Sequence, residues 1–141
     1  QVTATDIYAA TLDVAQDNAV RHGLMQVKFA CGAWFEALEQ QQFDLIVSNP
    51  PYIDPEDVHM QKLKSEPERA LIADKKGMAD IETIITQGKD WLKPNGWIVL
   101  EHGYDQGQAV RYIFEQQGFK QIQTIKDYGG NDRVSLGQKT I

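Results

Sequence analysis

Phe43-Asp44-Leu45-Ile46-Val47-Ser48-Asn49-Pro50-Pro51-Tyr52 is the stretch that decides how this chain reads. Leu45, Ile46 and Val47 are consecutive rather than alternating, the pattern of a strand covered on both sheet faces. Asn49-Pro50-Pro51-Tyr52 then falls at a strand's carboxyl end, the edge where open α/β sheets bind ligands. Each proline pushes the residue before it toward extended backbone, so the turn is stiff before any ligand arrives. Neither proline has an N–H. What the turn presents is acceptors, the Asn49 side-chain oxygen and the Pro50 carbonyl. Two acceptors can take both hydrogens of a planar NH2 group, orient its nitrogen and favour the pyramidal form reached during attack. Tyr52 is placed to cover the flat group with its ring. Attack on an electrophilic methyl then needs neither a metal nor a strong base, and orientation carries most of the rate. The plainer reading is a turn made of common loop residues. The apolar run before it and the aromatic at its fourth place favour the functional one.

Outward from this point, strand-like and helix-like segments alternate, as in βαβ units with a parallel sheet. Residues 2 to 6 read as a strand ended by Asp6. Tyr8 to His22 read as a helix with Leu12, Ala15 and Ala19 on one face and Gly23 as its left-handed cap. Residues 26 to 31 form the next strand. From Ile53 to Lys76 the pattern is lost in a long polar loop, expected to move when a substrate binds. A helix follows on Ile81, Ile84, Ile85, Gly88 and Leu92, with Asp80 near its start; Lys93-Pro94-Asn95-Gly96 stops it, and Trp97 to Leu100 supply another buried strand. Residues 107 to 117 predict an amphipathic helix ended by Gly118. Ile122 to Lys126 and Arg133 to Gly137 predict two strands joined by a turn at Gly129-Gly130-Asn131, close enough in sequence to pair antiparallel.

The length of 141 residues suits one domain, and 42% hydrophobic with 24% charged residues is a globular composition. Twenty acidic against fourteen basic residues give a net charge of -6, with no basic stripe, which argues against tight binding of a phosphate backbone. The single cysteine, Cys31, cannot form an internal disulfide, and a reducing cytoplasm is expected. No apolar stretch approaches the roughly 20 residues that cross a bilayer, so no membrane partner is expected.

Asp6 is the second chemical clue. An acidic residue ending a strand before a helix is suited to accept both hydroxyls of a nucleotide-like ribose, with Ile7 against a base. A helix N-cap is an equally sensible use of it. The Trp34-Phe35 pair can flank a base or belong to the core. His22, His59 and His102 lack metal-ligand spacing and read as cap, loop and strand-end residues. Glu101-His102-Gly103 ends a strand on the presumed ligand edge, where it can line a pocket or simply turn the backbone.

Asn49-Pro50-Pro51-Tyr52-Ile53-Asp54, Glu66-Pro67 with Ala70-Leu71, Gly77-Met78-Ala79-Asp80-Ile81, Glu101-His102-Gly103, and Asp127-Tyr128-Gly129-Gly130-Asn131-Asp132-Arg133-Val134 occur in this order over nearly the whole chain. Together they resemble the bacterial release factor glutamine methyltransferases. The tetrapeptide alone is shared with adenine and guanine amino methyltransferases and marks only the reaction type; the later segments make the match specific. The resemblance implies an α/β, class I S-adenosylmethionine-dependent methyltransferase (Rossmann-like) sheet with a final antiparallel strand. It implies methyl transfer from S-adenosylmethionine to the side-chain amide nitrogen of the glutamine in the Gly-Gly-Gln tip of class 1 peptide chain release factors. By the same resemblance Asp6 binds the cofactor ribose, Ile7 and Trp34 contact adenine, and Asn49 with Pro50, Pro51 and Tyr52 holds the target amide close to the methyl.

Two departures accompany the match. Where the family usually carries an aspartate for the adenine amino group, this chain has Gly32 and Ala33. The family's first strand, its glycine-rich turn and its N-terminal helical domain have no counterpart here, so residues 1 to 141 read as a single partial methyltransferase domain. In the family that strand lies between the strand ending at Asp6 and the one ending at Ser48. Its absence is expected to leave unpaired backbone. Three outcomes are expected: abnormal pairing across the gap, a non-native dimer through the exposed edges, or a fragment with weak or no activity. The rival functions are an amino methyltransferase acting on adenine or guanine in nucleic acid, and a non-catalytic binding module.

Overall fold

The computed structural model describes residues 1–50 and 77–140. Pro51, Tyr52 and the predicted loop 53–76 lie outside the described residues. Two compact units make up the chain, residues 1–41 and 42–141.

In the first unit β1 (Val2–Asp6) and β2 (Val27–Cys31) pair in parallel, joined by α1 (Ala9–Arg21). Leu12 and Ala19 of α1 are buried, and Gly23 (φ 70°) closes the helix as its sequence predicts. His22 is the C-cap residue.

The second unit runs β3 (Phe43–Ser48), α2 (Met78–Trp91), β4 (Leu92–Glu101), α3 (Gly107–Gln116), β5 (Lys120–Lys126) and β6 (Asp132–Gln138). Its sheet has the order β3-β4-β6-β5. β3 is parallel to β4, while β6 is antiparallel to both β4 and β5. The final antiparallel pair is thus present. β3, β4 and β5 all point the same way, so their carboxyl ends share one edge of the sheet.

Paired residues share a sheet face. Ile98 and Leu100 of β4, with Ser135 and Gly137 opposite them, form the face that is buried with Ile81, Ile84 and Ile85 of α2 and Val110 and Phe114 of α3. Phe114 also meets Phe119 edge to face, with ring centroids 5.2 Å apart.

Three sequence expectations are corrected. β3 is not covered on both faces: Leu45 and Val47 are 54% and 68% exposed. Here β3 is an outer strand, and the two helices pack on the other face of its sheet. Leu92 is not helical; it opens β4 and pairs with Phe43. The stretch 93–96 lies within β4, where five residues of β4 advance against two of β3, with Asn95 left-handed (φ 70°). Long-range bonds hold it there. Asn95 N–H donates to the Lys139 carbonyl and Lys139 N–H to the Gly96 carbonyl (both 2.8 Å), while Lys139 Nζ donates to the Lys89 and Leu92 carbonyls at the helix end.

Gly137 is where the core tolerates least. A Cβ there would lie 2.7 Å from Phe114 Cδ1 and 3.1 Å from Cε1. Gly137→Ala is therefore expected to destabilise the chain by about 1–3 kcal/mol, the usual range for overpacking. Urea unfolding monitored by circular dichroism measures it, and an unchanged midpoint would show that Phe114 yields freely.

Candidate functional site

In the first unit the parallel ladder sets Asp6 opposite Cys31, and the Gly32 N–H donates to the Asp6 carbonyl at 2.9 Å. The end of β1 therefore lies beside the turn that carries Trp34. Asp6 is not the helix N-cap. That position belongs to Tyr8, whose N–H donates to Asp6 Oδ1 at 2.8 Å, closing a two-residue Asx turn. One carboxylate oxygen positions the chain's exit from β1, and the second remains available as an acceptor. Ile7 is 40% exposed, and its carbonyl accepts from Cys31 Sγ at 3.6 Å. Trp34 is half-buried with a left-handed backbone (φ 51°), a conformation that costs a non-glycine residue and clusters at ligand sites. At Gly32 a Cβ would stand 2.8 Å from Ala37 Cβ, so this turn is folded tightly onto itself. A carboxylate acceptor, an exposed aliphatic residue and an indole on neighbouring strand ends match the donor and apolar surfaces of an adenosine group.

In the second unit the β3–β4 ladder ends with Ser48 paired to Leu100, and Asn49 and Glu101 follow that last row. Asn49 is exposed, while Pro50 is fully buried. Burial of the first proline anchors the turn and leaves the asparagine side chain at the surface. Pro51 and Tyr52 lie outside the described residues.

The neighbouring turn at the end of β4 is locked by bonds that the sequence reading did not anticipate. His102 is fully buried, with Nδ1 2.9 Å from the Gly103 carbonyl and Nε2 2.7 Å from Ser135 Oγ. Ser135 Oγ lies 2.7 Å from Thr124 Oγ1, which accepts from Arg111 at 2.6 Å. With His102 neutral, as its burial favours, donor counting sets the directions. A carbonyl only accepts, so Nδ1 carries the proton, and a guanidinium only donates. Thr124 then gives its single hydrogen to Ser135, and Ser135 gives its own to Nε2. Every member is satisfied with His102 neutral. Gly103 N–H donates to Gln106 Oε1 (2.7 Å), and the Gly103 carbonyl also accepts from the Gln106 N–H (3.0 Å). Arg133 donates to the His102 carbonyl (3.2 Å) and, through Nε, to Asp127 Oδ2 (3.2 Å).

Burial pushes the His102 imidazole below its ordinary 6.5, against the weaker opposing effects of the Gly103 carbonyl and Asp132. The Asn131 amide above all, with Arg133 and the Gly129 amide, holds Asp127 below its ordinary 3.8. The sequence offered no signal of this network: alternation around Val134 and Leu136 would turn Ser135 toward solvent, yet Ser135 is fully buried and its hydroxyl needs a buried partner. Among the described residues no group of three or more His, Cys, Asp or Glu side chains converges as a metal site would. No described helix is long and apolar enough to cross a membrane.

Residues 1–71 match the family model for the methyltransferase small domain. The chain belongs to that family. Its similarity to curated relatives is closer than a shared domain type. It is 44% identical over 142 residues to the release factor glutamine methyltransferase of Salmonella typhimurium, covering 99% of this chain and 51% of the relative. To that of Francisella tularensis it is 45% identical over 140 residues, covering 98% and 49%. The chain thus spans about half the length of the curated relatives it matches. Among solved structures, a methyltransferase from Pyrococcus furiosus aligns with a TM-score of 0.75 at 21% identity, over 100% of this chain and 64% of that one. A ribosomal protein L11 methylase from Lactobacillus delbrueckii aligns with a TM-score of 0.71 at 18% identity, covering 100% and 58%. The fold is the α/β fold of class I methyltransferases.

The neutral His102 has a pH signature. The unfolded chain takes up this proton near 6.5, the folded chain only at lower pH, so stability falls as pH drops below 6.5 and the loss levels off once folded His102 titrates. Asp127 acts in a separate window, losing its contribution only as pH falls below its ordinary 3.8. In His102→Gln the slope of unfolding free energy between about pH 7 and about pH 5 is expected to be shallower than in the parent. Urea titrations at each pH measure it, and equal slopes would exclude a buried neutral imidazole.

Proposed function

We propose that this chain is part of a single methyltransferase domain that transfers a methyl group from S-adenosylmethionine to the side-chain amide nitrogen (N5) of a glutamine. The target is the Gly-Gly-Gln tip of class 1 peptide chain release factors. The observation that carries this reading is Asn49 exposed at the carboxyl end of β3 with Pro50 buried behind it. The names of the relatives, similar at 44% and 45% identity over nearly all of this chain, supply the substrate class.

An amide nitrogen is a poor nucleophile because its lone pair is delocalised into the carbonyl. The Asn49 side-chain oxygen and the Pro50 carbonyl accept its two hydrogens, fixing the nitrogen's direction and favouring the pyramidal form in which the lone pair is free. The sequence assigns Pro51 the stiffening of this corner and Tyr52 the cover of the carboxamide plane; both lie outside the described residues. When bound, S-adenosylmethionine supplies an electrophilic methyl on a sulfonium. Asp6 accepts from its ribose hydroxyls through the carboxylate oxygen that Tyr8 leaves available, while Ile7 and Trp34 flank its adenine. The family resemblance assigns Asn49 to the cofactor as well as to the amide. Charge favours a protein target over nucleic acid: the net charge of -6 offers a phosphate backbone little attraction. The cytoplasm, where release factors work, is the compartment this reading requires.

Asn49→Ala is expected to lower methylation of a release factor by about 100-fold or more, because it removes an acceptor that acts in the transition state. The thermal midpoint should change little, since Asn49 is exposed. Mass spectrometry of a release factor incubated with donor and the complete gene product reads the modified residue. Turnover unchanged in the variant, or methylation found only on nucleic acid, overturns the reading. Asp6→Ala is expected to weaken S-adenosylmethionine binding about tenfold, the loss of one charge-assisted hydrogen-bonding group. Calorimetry checks it, and equal affinity would remove Asp6 from the cofactor site.

A further inference from the structure

The turn between β5 and β6 is built with unusual care for a surface hairpin. Asp127 N–H donates to the Asn131 carbonyl (2.8 Å), and Gly130 N–H donates to the Asp127 carbonyl (3.0 Å). The Asp127 carboxylate accepts from Gly129 N–H (2.9 Å), Asn131 N–H (3.0 Å) and Arg133 Nε (3.2 Å). Arg133 in turn grips the His102 carbonyl, tying this turn to the end of β4. At the tip of this framework stands Tyr128, with a relative exposure of 112%. A fully solvated ring gains nothing for the fold, whereas a ring held on a fixed backbone binds a partner without the entropic cost of ordering a loop.

Topology gives the turn its address. Because β5 is parallel to β4 and β3, the turn leaves the sheet at the same edge as Asn49 and Pro50. The order β3-β4-β6-β5 separates β3 from β5 by three inter-strand steps, roughly 14 Å at the usual spacing. That is well beyond the reach of one glutamine side chain and within the footprint of a folded protein. We infer that Tyr128 is a docking contact for the protein substrate, bearing on the surface that flanks the target glutamine. This rests on the reading that the target is a glutamine in a protein. The partner surface should be apolar or backbone-rich. Asp127 is neutralised by Arg133, and Asp132 lies 4.0 Å from Arg111, so the turn offers an aromatic face rather than a charge. A nucleic-acid base can also stack on tyrosine. The net charge of -6 disfavours it.

The test measures kcat and KM of the complete gene product and its Tyr128→Ala variant on two substrates, a whole release factor and a short peptide carrying the same glutamine. With the release factor, KM should rise about tenfold, a typical loss for an aromatic interface anchor and equal to about 1.4 kcal/mol, while kcat stays unchanged. With the peptide both constants should be unaltered, as should the thermal midpoint and S-adenosylmethionine affinity. Tyr128→Phe should keep KM within about twofold, since the ring makes the contact. An unchanged KM for the release factor overturns the docking role, as does an equal rise with the peptide. A drop in binding of single-stranded RNA by Tyr128→Ala, with release factor kinetics intact, also overturns it. If the parent enzyme methylates no release factor, the proposed function fails together with this inference. If the parent is active and the variant matches it, the docking role alone fails.

Discussion

One row of paired residues, Ser48–Leu100–Ser135–Thr124, runs across all four strands of the larger sheet and fixes where every chemical group at its edge can fall. Side chains alternate along a strand, so a slip of one residue would turn each to the opposite face. With this register Leu100 enters the core, Ser135 meets His102, and Asn49 and Glu101 follow the last paired row of β3 and β4. The apolar face sets it. Ile98 and Leu100 must face the helices, and Gly137 must lie against Phe114 because no larger residue fits there. The core thus determines the address of a surface asparagine that it never touches.

Above that row the edge is stiffened by polar groups. A buried imidazole with one unsatisfied nitrogen would cost about 1–3 kcal/mol, and the relay from Arg111 through Thr124 and Ser135 to His102 avoids that cost at each member. It also joins α3, β5, β6 and the end of β4. Arg133 adds a second tie, from the β4 end to the β5–β6 turn. The ends of β4 and β5 therefore hold one another in place.

Local rules explain why much of this was legible. Proline's effect on its neighbour and the donor inventory of Asn-Pro-Pro-Tyr need no tertiary context. Nor do the Gly23 cap and the antiparallel closure of β5 with β6. Interactions between residues far apart in sequence were hidden. The stretch 93–96 reads as a helix stop, yet its backbone is claimed by Lys139, more than forty residues on. Leu45 and Val47 match a strand covered on both faces, but a run of apolar residues says only that both faces suit burial, not that both are covered. His102 reads only as a strand-end residue that lines a pocket or precedes a turn, because its partner, Ser135, is 33 positions away. Asp6 was read as a ribose ligand or a helix cap, and the Asx turn to Tyr8 displaces the second use while leaving an oxygen for the first.

The two described groups with shifted titration at this edge, His102 and Asp127, are both committed to internal hydrogen bonds. Each ring nitrogen of His102 has a partner within 2.9 Å, and the Asp127 carboxylate takes three donors. A reaction that needed general-base catalysis would want such a group facing a substrate with a free lone pair. Methyl transfer to an amide has a different requirement, since the nitrogen must be turned out of resonance and held on line. Rigid acceptors on a fixed corner meet that requirement, and their effect grows with the stiffness of the frame behind them. Among the described residues, His102 and Asp127 spend their hydrogen bonds on the rigidity of this edge, which is what the proposed reaction, governed by placement, calls for.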